Sequence, residues 1–188
     1  KESIRNIVLD YPTEFERAKE IKNIIESSYQ MEIPESESYY LAGLLISLRE
    51  NPEAGRIGIV VAAHGNSTAS SMVQVVSQLL NVDNLKAVDM PLDMPPKEAL
   101  RKIVEAVGEV NEENGVLLLV DMGSLSTFSE EIVRQTGIDV RTVDMVTTPI
   151  VLEAARKTAL IDTQLETLHE SLKNFHGYAD IRQSETKP

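Results

Sequence analysis

Apolar positions recur with the helical period at the start of this chain and then change character. Phe15, Ala18, Ile21, Ile25 and Tyr29 fall three or four apart, as do Tyr40, Leu41, Leu44, Leu45 and Leu48. That spacing lines one face of a helix. Pro12 and Pro34 stand where helices begin, because the first helical position has no use for its amide hydrogen. Asn51-Pro52-Glu53-Ala54-Gly55 breaks the period and reads as a linker.

From Arg56 onward two periods alternate. Ile57–Ala63 is a short β-branched run, as expected of a strand covered on both faces. Met72, Val75, Val76, Leu79 and Leu80 form a helical stripe, and Leu85–Met90 is a second strand candidate. After Pro95-Pro96 comes the stripe Leu100, Ile103, Val104, Val107 and Val110, and then a third run, Val116–Val120. Thr127-Phe128-Ser129-Glu130 has the pattern of a capping box opening a helix that stops at Gly137. Val140–Met145 is a fourth strand candidate. Thr148-Pro149 opens a last helix, whose stripe through Ile161, Leu165, Leu168 and Leu172 carries it to about Asn174. Strand and helix alternating in this way predict an α/β fold: a doubly wound, mostly parallel sheet preceded by a small all-helical segment. The expected organisation is a helical segment over 1–55, an α/β domain over 56–175 and a polar tail over 176–188. Three helices without cysteine or metal are too few to cover their own apolar stripes. The first segment therefore reads as part of a longer helical unit.

Composition narrows the class. Apolar residues make up 42% and charged residues 26% of the 188 positions, enough for a packed core. Thirty Asp and Glu against eighteen Lys and Arg leave a formal charge of −12. Such a balance argues against direct nucleic-acid contact or binding to an anionic membrane. The absence of cysteine excludes disulfides, thiolate metal sites and cysteine nucleophiles. No apolar run is long enough to span a bilayer and the opening residues lack a signal-peptide pattern, so the expected location is cytoplasmic.

Two strand ends carry candidate chemistry. Ala63-His64-Gly65-Asn66-Ser67-Thr68 follows the first strand, and ligand crevices of open parallel sheets lie at the carboxyl ends of the strands. His64 is placed at a crevice mouth, Gly65 permits a tight turn, and the polar run opens a helix whose free amides favour an anion. Val120-Asp121-Met122-Gly123-Ser124-Leu125-Ser126 puts a carboxylate at an equivalent strand end. A carboxylate can accept a hydrogen bond from Nδ1–H of an imidazole, leaving the Nε2 lone pair outward. The same residues also suit a loop-capping histidine and an Asx turn, and both readings stand at this point. Asp89 and Asp144, in Val88-Asp89-Met90 and Val143-Asp144-Met145, suit turns rather than catalysis. His169 and His176 read as surface or packing residues. No histidine pair has metal-ligand spacing, and no Gly-Lys-Ser/Thr phosphate loop occurs.

Ile57-Gly58-Ile59-Val60-Val61-Ala62-Ala63-His64-Gly65, with Gly115-Val116-Leu117-Leu118-Leu119-Val120-Asp121 some 50 residues later, resembles the mannose-family EIIA domain of the bacterial phosphoenolpyruvate:sugar phosphotransferase system (PTS). The resemblance covers about residues 56–175. It implies that His64 carries a phosphoryl group on Nε2, received from phospho-HPr and passed to an EIIB protein or domain. Asp121 is then the partner of the imidazole. Gly65, Asn66, Ser67 and Thr68 lie at the phosphate, with Ser124 or Ser126 as the phosphate-binding serine of the next loop. That loop departs from the family's usual Gly-Gly-Ser-Pro wording. The resemblance also implies a homodimer, and neither a metal nor another cofactor, because a phosphohistidine donor is already activated.

Glu14-Phe15-Glu16-Arg17-Ala18, Ile33-Pro34-Glu35 and Tyr40-Leu41-Ala42-Gly43-Leu44-Leu45 are similar to the closing half of a PTS regulation domain. Leu44 stands where such domains usually carry a phosphorylatable histidine. This order of parts is similar to the LevR/ManR class of sigma-54-dependent transcriptional activators, which implies ATPase and DNA-binding parts upstream and an EIIB-like part downstream. Alternatives are the EIIA subunit of a mannose-, fructose- or sorbose-type transporter, or of a dihydroxyacetone kinase phosphorelay. A chelatase-like enzyme is a further reading, although the arginine of its His-Gly-Ser-Arg pattern is missing here.

Overall fold

A computed structural model describes residues 8–50, 55–159 and 163–175, without the side chains of Ser47, Arg49, Glu50, Ser124 and Ser126. The polar tail and His176 lie outside the described residues. The chain divides into two compact units, one built from the described part of the first 54 residues with Ala159, the other from Gly55–Thr158 and 163–175.

In the first unit, α1 (Pro12–Tyr29) and α2 (Ser36–Glu50) are joined by a non-helical connection over 30–35. Pro12 occupies the first turn of α1, as its fixed φ favours. Pro34 instead lies in the turn before α2, its carbonyl accepting a hydrogen bond from the amide of Glu37. Phe15, Ala18 and Ala42 form the buried centre, and the rings of Phe15 and Tyr39 pack with centroids 4.9 Å apart. The contact face of α2 differs from the sequence stripe. Ser38, Ala42 and Ile46 are buried, whereas Leu44 and Leu48 are 43% and 73% exposed. Apolar residues occupy nearly every position from Tyr39 to Ile46, so period alone cannot phase the helix. Small Ala18 and Ala42 decide it by allowing close approach.

The second unit is a four-stranded sheet of order β2-β1-β3-β4, parallel at every pairing. Its strands are β1 (Gly58–His64), β2 (Leu85–Met90), β3 (Val116–Val120) and β4 (Val140–Val143). The helices are α3 (Thr68–Leu80), α4 (Pro96–Val110), α5 (Ser129–Thr136), α6 (Thr148–Thr158) and α7 (Leu165–Lys173). Side-chain alternation along a strand sorts the core into two layers. Ile59, Val61, Leu117 and Leu119 meet α3, α6 and α7 on one face. Val60, Ala62, Leu118 and Val120 meet α4 and α5 on the other. With both faces covered, β3 is buried at all five positions, which explains its unbroken run of apolar residues.

Two predicted elements take another form. The long final helix is interrupted between Thr158 and Leu165, giving α6 and α7. Leu165, Leu168 and Leu172 keep the predicted stripe and are buried, while Ile161 lies outside the described residues. The Thr163 hydroxyl donates to the Lys157 carbonyl, an alternative to the helical ladder that hydroxyl residues readily offer. The capping box is also replaced. Gly123–Phe128 form a 3-10 helix, and α5 starts at Ser129 with Phe128 at its N-cap and no side-chain capping bond there. Gly137 closes α5 in the left-handed conformation, as expected.

Gly58 begins β1 where the strand passes the end of α4. A Cβ at Gly58 would lie 2.4 Å from the Val110 carbonyl oxygen and 2.6 Å from Val110 Cγ2. Gly58→Ala is therefore expected to destabilise the second unit by about 1–3 kcal/mol or more, the scale of overpacking against backbone. A urea midpoint unchanged from the parent would contradict this close approach.

Candidate functional site

The strand order creates the site. The chain passes from β1 outward to β2 and then returns to the opposite side of β1 to form β3. The connections leaving β1 and β3 therefore diverge, opening a crevice at their carboxyl ends. Register decides which residues meet there. Ala62 pairs with Val120, and the Asp121 amide extends the ladder by donating to the Ala62 carbonyl at 3.3 Å. His64, the last residue of β1, then faces Asp121 across the opening.

Asp121 holds His64 by two groups. Its Oδ2 accepts the His64 backbone N–H at 2.8 Å, and its Oδ1 lies 3.0 Å from His64 Nδ1. An ionised carboxylate only accepts, so Nδ1 carries the hydrogen and Nε2 keeps the lone pair in the neutral ring. Nε2 has no hydrogen-bond partner among the described residues. The two side chains are 26% and 20% exposed: sheltered enough to be held, open enough to be reached. His64 continues the alternation of Val60 and Ala62 and lies on the α4 side. There it borders a hollow of about 260 Å³ lined by Met90, Leu92, Met94, Leu125 and Phe128. A larger hollow of about 340 Å³ between β2 and α4 is lined by charged residues already paired, such as Lys86 with Glu109 at 2.8 Å. It holds no comparable reactive group.

Gly65 turns the chain away from β1 with φ +116, a conformation that side chains rarely adopt. Its amide donates to the Met90 carbonyl, and the Thr68 hydroxyl sits over it, 2.6 Å from where a Cβ would be. Asn66 and Ser67 follow, and Thr68 opens α3.

The helix start is not the open anion cradle that the sequence suggests. Asp89, near the end of β2, accepts the amides of Ala69 at 2.8 Å and Ser70 at 3.2 Å on Oδ1, and the Ser70 hydroxyl on Oδ2. This carboxylate fills two of the amide positions left orphaned by a helix N-terminus. Asn66, Ser67 and Thr68 are the nearby amides that Asp89 does not engage. By its sequence Asp89 suits a turn. Its position at the strand end next to β1 was the available signal, because a carboxylate there faces the first turn of the intervening helix. Asp144 reaches the same rim from beyond β4, where its Oδ2 would lie 3.4 Å from a Cβ on Gly123.

Ser124 and Ser126 lie in the 3-10 helix after β3, and their side chains lie outside the described residues. His169 belongs to a different place altogether. It is buried on α7, with Nε2 3.0 Å from the Thr142 carbonyl.

Residues 58–173 match the EIIA-man family, described as the PTS system fructose IIA component, and residues 1–48 match the PRD domain family. Over 163 residues the chain is 42% identical to the transcriptional regulatory protein LevR of Bacillus subtilis, an alignment covering 86% of this chain and 17% of that protein. The chain thus spans about a sixth of that relative's length. A sigma-54 interaction domain protein from Enterococcus faecalis superposes with a TM-score of 0.59 at 32% identity, over 71% of this chain and 99% of that one. The mannose/sorbose-specific IIA subunit of the same organism shares the fold, with a TM-score of 0.51 at 15% identity over 71% and 94% of the two chains. No described helix is long and apolar enough to cross a membrane. With this fold and these matches, the chain belongs to the EIIA-man family of the PTS, preceded by a fragment of a PRD domain.

Proposed function

We propose that this chain is the phosphohistidine-accepting EIIA-type part of a PTS-controlled transcriptional activator of the LevR kind, phosphorylated on His64 by phospho-HPr. The observation that carries the reading is the bond from His64 Nδ1 to Asp121, which leaves Nε2 as the nucleophile. Neutral His64 attacks the phosphorus of phospho-HPr in line through Nε2. The P–N bond to the donor imidazole breaks as the new one forms, and Asp121 stabilises the positive charge developing on the ring. The amides of Asn66, Ser67 and Thr68 receive the transferred oxygens, with Ser124 or Ser126 approaching from the opposite loop. Asp89 anchors the start of α3 and so fixes the turn that carries these amides.

Two further features support a regulator over a transporter subunit. A PRD fragment precedes the EIIA part, and the identity to a transcriptional regulatory protein spans both parts. Phosphorylation would add roughly −1.5 to −2 of charge at a strand end already bearing Asp121, Asp89 and Asp144. Repulsion at this rim then changes how it meets a neighbour, whether an EIIB partner, a second copy or another part of the same protein. Incubation with phosphoenolpyruvate, enzyme I and HPr should place one acid-labile, base-stable phosphoryl group on each chain. No incorporation from a relay that phosphorylates a control EIIA would overturn the proposal.

A further inference from the structure

Helix α7 carries a second group of ligating side chains, remote in sequence from His64. Glu166, His169 and Glu170 stand at i, i+3 and i+4, on one helix face, and one ligand atom from each lies within 4.8 Å of the others. His169 is only 9% exposed. Its Nε2 lies 3.0 Å from the Thr142 carbonyl oxygen on β4. A carbonyl can only accept, so Nε2 carries the hydrogen and Nδ1 of the neutral ring is a bare lone pair. Nδ1 is buried without a hydrogen-bond partner and faces Glu170 Oε1 at 3.5 Å. A lone pair turned on a carboxylate is repulsive unless a positive species, either a second ring proton or a metal ion, lies between them. Metal-bound histidines are commonly oriented in this way, the distal N–H held by a backbone carbonyl.

We propose that Glu166, His169 through Nδ1 and Glu170 bind a divalent transition-metal ion, with zinc the best match to one imidazole nitrogen and two carboxylate oxygens. Magnesium and calcium are poor candidates because they prefer oxygen ligands throughout. Two cations already attend the carboxylates. Arg141 lies 3.0 Å from Glu166 Oε2 and Lys173 lies 2.9 Å from Glu170 Oε1. Glu166 keeps Oε1 for the ion, whereas Glu170 Oε1, the oxygen that faces Nδ1, is the one Lys173 holds, so the ion would share it or take Oε2. The hydrogen bond between Nε2 and the Thr142 carbonyl ties α7 to β4, the edge strand of the sheet, and would fix the ring's orientation toward the ion.

The chain has three histidines, so the full-length chain with His64→Ala and His176→Ala retains only His169. Zinc titrated into this variant against a chromophoric chelator should bind at one equivalent with micromolar affinity. Adding Glu166→Gln and Glu170→Gln, both on the exposed helix surface, should weaken binding by at least roughly tenfold, the scale on which even supporting partners of a metal site count. Nitrogen NMR of the His169 ring should show Nδ1 shifting on zinc addition while Nε2 keeps its proton. Three results would overturn the proposal: no saturable binding, affinity unaffected by the glutamine changes, or a ring protonated on both nitrogens in the presence of zinc.

Discussion

His64→Ala is expected to abolish phosphoryl incorporation from phosphoenolpyruvate, enzyme I and HPr, while changing His169 or His176 leaves one label per chain. The effect should be total because no neighbouring group can substitute. A neighbouring carboxylate would give an acyl phosphate, labile to base where a phosphohistidine is stable, and a neighbouring hydroxyl such as Thr68 would give an ester, stable to acid where a phosphohistidine is labile. His169 cannot stand in, since its Nε2 is committed to the Thr142 carbonyl and its ring is buried on α7. The variant should fold like the parent, because Asp121 still receives the backbone amide of residue 64 and the imidazole is partly exposed. Full labelling of His64→Ala would remove His64 from the mechanism.

Asp121→Asn is expected to keep the fold and slow transfer by ~10²–10⁴, the scale of misplacing one acid–base partner. An asparagine carbonyl can still accept the His64 amide. Its NH₂ group, however, would face Nδ1 as a donor. That favours hydrogen on Nε2 and withdraws the lone pair that attacks phosphorus. The variant also loses the negative charge that stabilises the ring as it becomes cationic. Rapid-quench measurement of transfer from phospho-HPr separates this from weaker docking, because the deficit should persist at saturating donor. A saturated rate equal to the parent's would leave His64 as the acceptor and dismiss Asp121 as its partner.

Much of this arrangement was legible in the residues. The run at Val116–Val120 coincides with β3, because a strand buried on both faces admits few polar residues, and the run at Leu85–Met90 coincides with β2, an edge strand that keeps Lys86 and Asp89. A histidine and an aspartate closing the first and third strands, in a fold that reverses direction between them, were enough to expect a meeting. Asp89 was harder to read. A carboxylate at a strand end suits a turn as well as a neighbouring helix, and only the placement of α3 beside β2 shows which amides it takes. The break after α6 was hidden because Leu165, Leu168 and Leu172 continue the helical period in phase. In α2 the apolar residues were too many, rather than too few, to reveal which side would be buried. The environment of His169 was invisible for a simpler reason: Thr142 lies 27 positions away, and no local pattern announces a backbone carbonyl as a partner.

The reading rests on which imidazole nitrogen is free, and one measurement addresses that directly. The chain, labelled with ¹⁵N in its histidine rings and phosphorylated through HPr, is observed by phosphorus–nitrogen correlation NMR. With Nδ1 of His64 held by Asp121 at 3.0 Å, the phosphorus should couple to Nε2 of His64, and Nδ1 should retain its hydrogen. Phosphorus coupled to Nδ1 of His64, or to either nitrogen of another histidine, would contradict it.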